Sequence, residues 1–297
     1  MSMILSLVKR NIKLFFKDKG MFFTSLITPL ILLVLYATFL GNVYRDSFTG
    51  NFPPLIIIDE KIIEGLVAGQ LMSSILSVSC VTVAFCSNFL MVQDKVTSTI
   101  KDFKITPVKS SYLSLGYYIA TIISTLIICY LALALSLVYA GIVGWYISFA
   151  DIMYLILDVT ILVFFGTALS SVINFFLSTQ GQLSAVGTII SAGYGFICGA
   201  YMPISSFGEG LQKVVSFLPG TYGTSLMRNH SLRGVLEELE STGIPSEVMT
   251  GLKDSLDYNF YFFDNEVSTT IKYLILLVAV VVLVIVYILM NSLKKKA

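Results

Sequence analysis

Six stretches long and apolar enough to cross a membrane divide the chain: about Met21–Asn42, Leu66–Val92, Tyr112–Gly141, Ile152–Ser178, Leu183–Pro203 and Ile271–Asn291. A helix needs about 20 mostly apolar residues to traverse the roughly 30 Å hydrocarbon layer. Composition agrees: 56% of the 297 residues are hydrophobic and 12% are charged, where soluble domains carry roughly 45–50% and about 25%. The expected fold class is an all-α membrane protein with six transmembrane helices. The second stretch is the least apolar, being rich in Ser, Thr and Cys, and the fourth carries the one clearly intramembrane acid, Asp158. No cleavable signal peptide is expected, because the first apolar run is span-length and lacks a small-residue cleavage site.

Six crossings place both ends on one side, and the distribution of cations chooses which. Lys9, Arg10, Lys13, Lys17 and Lys19 precede the first span, Lys95, Lys101, Lys104 and Lys109 separate the second from the third, and Lys294, Lys295 and Lys296 follow the sixth. That side holds twelve cations and three acids, the other seven cations and fourteen acids. Both termini are expected in the cytoplasm, with residues 292–297 as a basic tail. Residues 1–20 read as an amphipathic helix. Leu5, Val8, Ile12 and Phe15 recur at helical spacing, and Ser6, Lys9, Arg10, Lys13 and Lys17 cover the other face. Such a helix lies in the inner interface and attracts anionic membrane lipid.

On the opposite side, Val43–Gly65 reads as a short loop containing the extended run Pro53-Pro54-Leu55-Ile56-Ile57-Ile58. Residues 204–270 read as a small external helical cap or re-entrant segment, too short for a core of its own. Three amphipathic stretches compose it: Leu211, Val214, Val215 and Leu218; Leu232, Val235, Leu236 and Leu239; and Val248, Leu252 and Leu256, opened by Ser246 as an N-cap.

Enzyme signatures are missing. Without a G-x-x-x-x-G-K-[ST] phosphate loop the chain is expected to hydrolyse no ATP and to carry no cofactor. One histidine and four cysteines at no zinc-like spacing give no metal centre. Cys80, Cys86, Cys129 and Cys198 read as small buried hydrophobes. A net charge of +1 gives no case for nucleic acid. His230, within Arg228-Asn229-His230-Ser231, reads as a solvated loop residue, and Asn229-His230-Ser231 matches the glycosylation sequon, a short and weak pattern.

Three further features bear on function. In the cytoplasmic loop 93–111, Val96, Ile100 and Phe103 fall on one helix face before Thr106-Pro107-Val108 ends the helix. This coupling helix either fixes the turn between spans or docks a cytoplasmic partner through Asp94, Val96, Ile100, Phe103, Thr106 and Pro107, with Phe103 as buried anchor. In the fifth span, Gly187, Ser191, Gly195 and Gly199 form a stripe of small residues that admits another helix, within the chain or across a dimer. Ser73, Ser77 and Asn88 of the second span, with Asp158 of the fourth, either line a partly polar path or bond to neighbouring groups. Burying Asp158 is costly unless it is protonated, paired or wetted, and a structural or outer-vestibule role is expected ahead of ion coupling.

The segment from Asp94-Lys95-Val96 to Thr106-Pro107-Val108 resembles the cytoplasmic loop of ABC-2 type exporter permeases. That loop reads acid, base, acid, x, Gly-Thr-Leu-Glu and closes in Thr-Pro-Val. Asp94, Lys95, Thr99, Ile100, Phe103 and Thr106-Pro107-Val108 fit, whereas Val96, Ser98 and Lys101 replace the usual Glu, Gly and Glu. Pro203, Pro219, Tyr222 and Arg228 are similar to the same family's segment after its fifth span, with its Gly-x-x-x-Pro-Ile element, Pro-x-Thr-Tyr turn and Leu-x-Arg. The resemblance implies a half-transporter in a prokaryotic cytoplasmic membrane. A second permease chain, identical or not, would pair with it. Two cytoplasmic ABC ATPase subunits, binding ATP and Mg2+, would drive export of an amphipathic drug, peptide or lipid-like substrate. Two other classes compete: an ion-coupled secondary transporter using Asp158, and a lipid-modifying enzyme, which would need the missing carboxylate pairs.

Overall fold

The computed structural model describes residues 2–50, 58–105, 110–263 and 265–293. The run 53–57 and the Thr106-Pro107-Val108 tripeptide lie outside the described residues. Helix α1 (Ser2–Lys17) forms where the periodicity places it, but Leu7, Val8, Asn11 and Phe15 make its buried face, while Leu5 stands open. Asp18 accepts a hydrogen bond from the Met21 amide and so caps α2 (Lys19–Leu35), which carries Pro29. The helix then continues through a π-helical turn (Tyr36–Leu40) into α3 (Gly41–Gly50), where a loop was expected from Val43. Inside that turn Tyr36 stacks on Tyr44 at 5.6 Å and lies 3.2 Å from the Ser74 hydroxyl.

Helix α4 (Glu60–Val96) begins six residues before the expected Leu66, capped by the Asp59 carboxylate on Lys61 N. The remaining elements are α5 (Thr99–Ile105), α6 (Ser110–Val143), α7 (Phe149–Phe176), α8 (Gln180–Ile197), a 3-10 turn (Ile204–Ser206), α9 (Glu209–Val215), α10 (Pro219–Ser241), α11 (Ser246–Ser255), a two-stranded antiparallel hairpin (β1 Tyr261–Phe262, β2 Asn265–Glu266) and α12 (Thr269–Leu293). Capping boxes start α7 (Ser148 with Asp151) and α8 (Thr179 with Gln182).

Helix α4 is the central post of the bundle. Helices α6, α7, α10, α2 and α8 all pack on it, and its apolar stretch is wholly buried. At Gly166 of α7 an added Cβ would sit 2.8 Å from the Cys80 carbonyl oxygen, so the two backbones meet there. This position explains why the second stretch is the least apolar: its surroundings are protein, not lipid. Ser73, Ser77, Ser79 and Thr82 donate to carbonyls one turn back on their own helix, which satisfies them without water. By contrast α2, α6 and α12 turn large apolar side chains such as Ile31, Leu135 and Val282 outward, an arrangement suited to hydrocarbon.

Among the described residues, five helices are long and apolar enough to cross a membrane: Lys19–Asp46, Glu60–Val96, Ser111–Val143, Phe149–Phe176 and Thr269–Leu293. The fifth expected span is the less apolar α8, of 18 residues and roughly 27 Å by helical rise. It ends at Ile197, short of Pro203, because Gly199 takes φ +75 and turns the chain back.

Within the region 204–270, α10 lies inside the bundle, buried along most of its length against α4, α7 and α12. Leu232, Val235, Leu236 and Leu239 do form its apolar stripe, but its polar side is buried too. In α9 only Val215 is buried, and Leu211, Val214 and Leu218 are exposed. Pro245 precedes α11, and Ser246 is its first residue, not its cap.

Candidate functional site

A cavity of about 620 Å³ lies between α2, α4 and α8. Thr24, Ile27 and Ile31 of α2 face Ser184, Thr188 and Ser191 of α8 across a floor of Phe89 and Gln93 from α4. One wall is mainly hydrocarbon and the other is a ladder of hydroxyls at helical spacing, so the groove suits a molecule with an apolar body and a polar, hydrogen-bonding part.

The small-residue stripe on α8 serves this chain's own contacts. A Cβ on Gly187 would lie 3.3 Å from the Phe89 ring, and Ser191 lines the groove while its carbonyl accepts from Tyr201 at 3.3 Å. Gly195 lies directly under the Tyr201 ring, and Gly199 makes the turn. Of the two readings of the stripe, the contacts within this chain are on view at its far end, where the fold-back after α8 lays Tyr201 on Gly195. Gly195→Leu is therefore expected to lower the melting temperature of the isolated chain, with Tyr201→Ala restoring part of the loss. A parent-like melting temperature in Gly195→Leu would refute this.

Behind the groove, charged side chains meet in the bundle interior. Asp158 is buried, its Oδ2 2.6 Å from His230 Nδ1 and its Oδ1 accepting from the Tyr273 hydroxyl at 2.5 Å. The imidazole stacks on Tyr154 at 4.8 Å. One turn along α10, Arg233 pairs with Asp151 at 2.7 Å and donates to the Ser148 hydroxyl. Arg228, only 1% exposed, binds Asp257 at 2.7 Å and the Gly199 carbonyl at 2.5 Å. Lys272 of α12 donates to Asn229 Oδ1 at 2.7 Å.

These contacts correct several expectations. His230 is a buried residue of α10, not a solvated loop residue, and Asn229 is bonded inside the fold to Tyr258 O and Lys272. Of the two readings of Asp158, Ser73, Ser77 and Asn88, bonding to neighbouring groups is what the described residues display. The two serines bond their own helix, and Asn88 donates to Ser170 and Ser171 at 3.0 Å in the seam between α4 and α7. Of the motif after α8, Pro203 leads into the 3-10 turn, Pro219 opens α10, and Tyr222 donates to Ser216 O at 2.7 Å. With Arg228, these residues hold the fold-back in place.

The third location is the foot of α4. The helix expected over Asp94–Ile105 is broken at Ser98, which takes φ +63; the position where the resembling family carries Gly adopts the left-handed conformation that favours Gly. Asp94 and Val96 belong to α4, Ile100 and Phe103 to α5. Asp94 is buried and accepts from both terminal nitrogens of Arg10, at 2.8 and 3.1 Å, and from the Tyr117 hydroxyl. The bond to Asp94 raises the pKa of the Arg10 guanidinium. That guanidinium lies 5.1 Å from the centre of the Phe103 ring. Phe103 is thus half-buried beside α1. The open apolar side chains here are Ile105 of α5, 86% exposed, and Val96 of α4. Thr106 and Pro107 fall outside the described residues.

A sequence profile of the ABC-2 type transporter family matches residues 3–230, from α1 to His230 in α10. No curated protein matches the chain.

Proposed function

Since the chain belongs to the ABC-2 type transporter family, and is thereby a multi-pass membrane permease component that works with an ABC ATPase subunit, we propose that it exports an amphipathic drug, peptide or lipid-like molecule through the groove between α2, α4 and α8. The amphipathic lining of that groove carries the reading. In this proposal two ATPase subunits supply ATP and Mg2+ chemistry, the chain itself catalyses nothing, and a second permease chain faces the groove. Helix α8 makes the sixth crossing, both termini are cytoplasmic, and the membrane is the prokaryotic cytoplasmic membrane. The foot of α4 with Val96 and the end of α5 with Ile105 are where an ATPase would press.

The competing ion-coupled carrier loses support, because both oxygens of Asp158 are engaged by side chains of α10 and α12. A direct test fills the groove. Thr188 is exposed on its wall, so Thr188→Trp is expected to fold and to bind the ATPase. In inside-out vesicles it should abolish ATP-dependent uptake of fluorescent amphiphiles that the parent transports. Uptake equal to the parent's would remove the groove from the transport path.

A further inference from the structure

Asp94 and Lys95 are neighbours at the foot of α4, yet they reach in opposite directions. Asp94 is bound to Arg10 of α1 and Tyr117 of α6. The Lys95 ammonium donates to the carbonyls of Asn174, Phe175 and Leu177, at 2.8, 2.9 and 2.8 Å. A lysine ammonium has three donors, and here all three sit on the carbonyl end of α7, where the helix dipole concentrates negative charge. Leu177 is the C-cap of α7 and Thr179 the N-cap of α8. Lys95 therefore grips the elbow that joins the two helices.

Helix α8 packs principally on α4 and forms one wall of the groove. Its far end is held by another cation: Arg228 bonds the Gly199 carbonyl and is fixed by buried Asp257. So a cation on backbone carbonyls stands next to each end of α8, Lys95 on the last carbonyls of α7 and Arg228 on Gly199. One belongs to the packed interior; the other stands on the foot of α4, just before the Ser98 break and α5.

We propose that Lys95 is the positioning residue through which a displacement of α5 changes the width of the groove. The foot of α4 carries the elbow with it, and α8 swings about its Arg228–Gly199 contact. Asp94 keeps α1 and α6 in step on the other side. This role rests on the export reading, which supplies the drive. A point charge on a flexible stem suits three convergent carbonyls; Arg replaces it with a planar fork that retains charge and bonds to carbonyls less completely.

The test places spin labels at Phe23 of α2 and Ile189 of α8, exposed side chains outside the groove lining, in the full chain reconstituted with its ATPase subunit in liposomes. Pulsed electron–electron distances are read without nucleotide and with ATP and vanadate. The parent is expected to show two distances. Lys95→Met is expected to bind the ATPase and hydrolyse ATP as the parent does, yet show one distance in both states and no transport; Lys95→Arg should restore the shift in part. Should Lys95→Met fail to fold, Lys95→Gln, with two N–H donors and no charge, is read instead. A Lys95 variant that shifts as the parent does overturns the role of Lys95 alone. A parent without any nucleotide-dependent shift overturns the export reading and this role together.

Discussion

Arg228→Met is expected to leave little folded protein in the membrane. The guanidinium is buried, and its loss strands the Asp257 carboxylate and the Gly199 carbonyl in the interior. Asp257 also accepts from the amides of Ile204 and Ser205, at 2.5 and 3.0 Å, so the turn after α8 loosens with it. Breaking a buried pair from one side costs about 3–5 kcal/mol, a large share of the roughly 5–15 kcal/mol that holds most proteins folded. The double variant Arg228→Met with Asp257→Leu should lose clearly less than the two single losses added together, since neither charge is then stranded. The four buried free cysteines give the readout: a thiol-reactive dye reports their exposure as the detergent-solubilised protein is heated. An Arg228→Met melting curve matching the parent's would defeat the argument.

A comparable loss is expected at Asp158. Asp158→Leu leaves His230 and the Tyr273 hydroxyl without their acceptor. Each stranded group costs about 1–3 kcal/mol, so the pair costs about 2–6 kcal/mol. Asp158→Asn should cost less, because its amide oxygen still accepts from Tyr273 and the imidazole can present an acceptor nitrogen to the amide N–H. Stability and transport should fall together across the series, Asn above Leu, because the carboxylate seats α10 between α7 and α12. A thermally parent-like Asp158→Asn that binds its ATPase but transports nothing would instead assign Asp158 a direct part in transport.

The helices that meet lipid were plain in the sequence because hydrocarbon demands an unbroken apolar run, and α6, α7 and α12 lie within a few residues of the expected bounds. Helix α10 is less legible for the opposite reason. Its apolar stripe was visible, but periodicity treats Arg228, His230 and Arg233 as a water-facing side, whereas each is paired with an acid from another element. A signal did exist. Asp151 and Asp158 lie seven residues apart on one face of α7, and His230 and Arg233 three apart on α10, spacings that let two helices match charge for charge. The break at Ser98 is hidden because a serine gives no hint of a positive φ. Nothing in the local sequence ties Lys95 to the end of α7, because such a contact is set by how two distant helices cross.

The placing of α10 also bears on the order in which the molecule can be completed. A ribosome delivers α10 before α12, so there is an interval during synthesis when Asn229 lacks Lys272 and Asp158 lacks Tyr273. A segment this polar has little reason to leave water alone, and hydrocarbon offers its charges nothing in exchange. Helix α12 therefore acts as the closing key. Until it inserts, the pairs of α10 with Asp151, Asp158 and Asp257 can already stand, but Asn229 Oδ1 and the second oxygen of Asp158 each lack a partner in the interior.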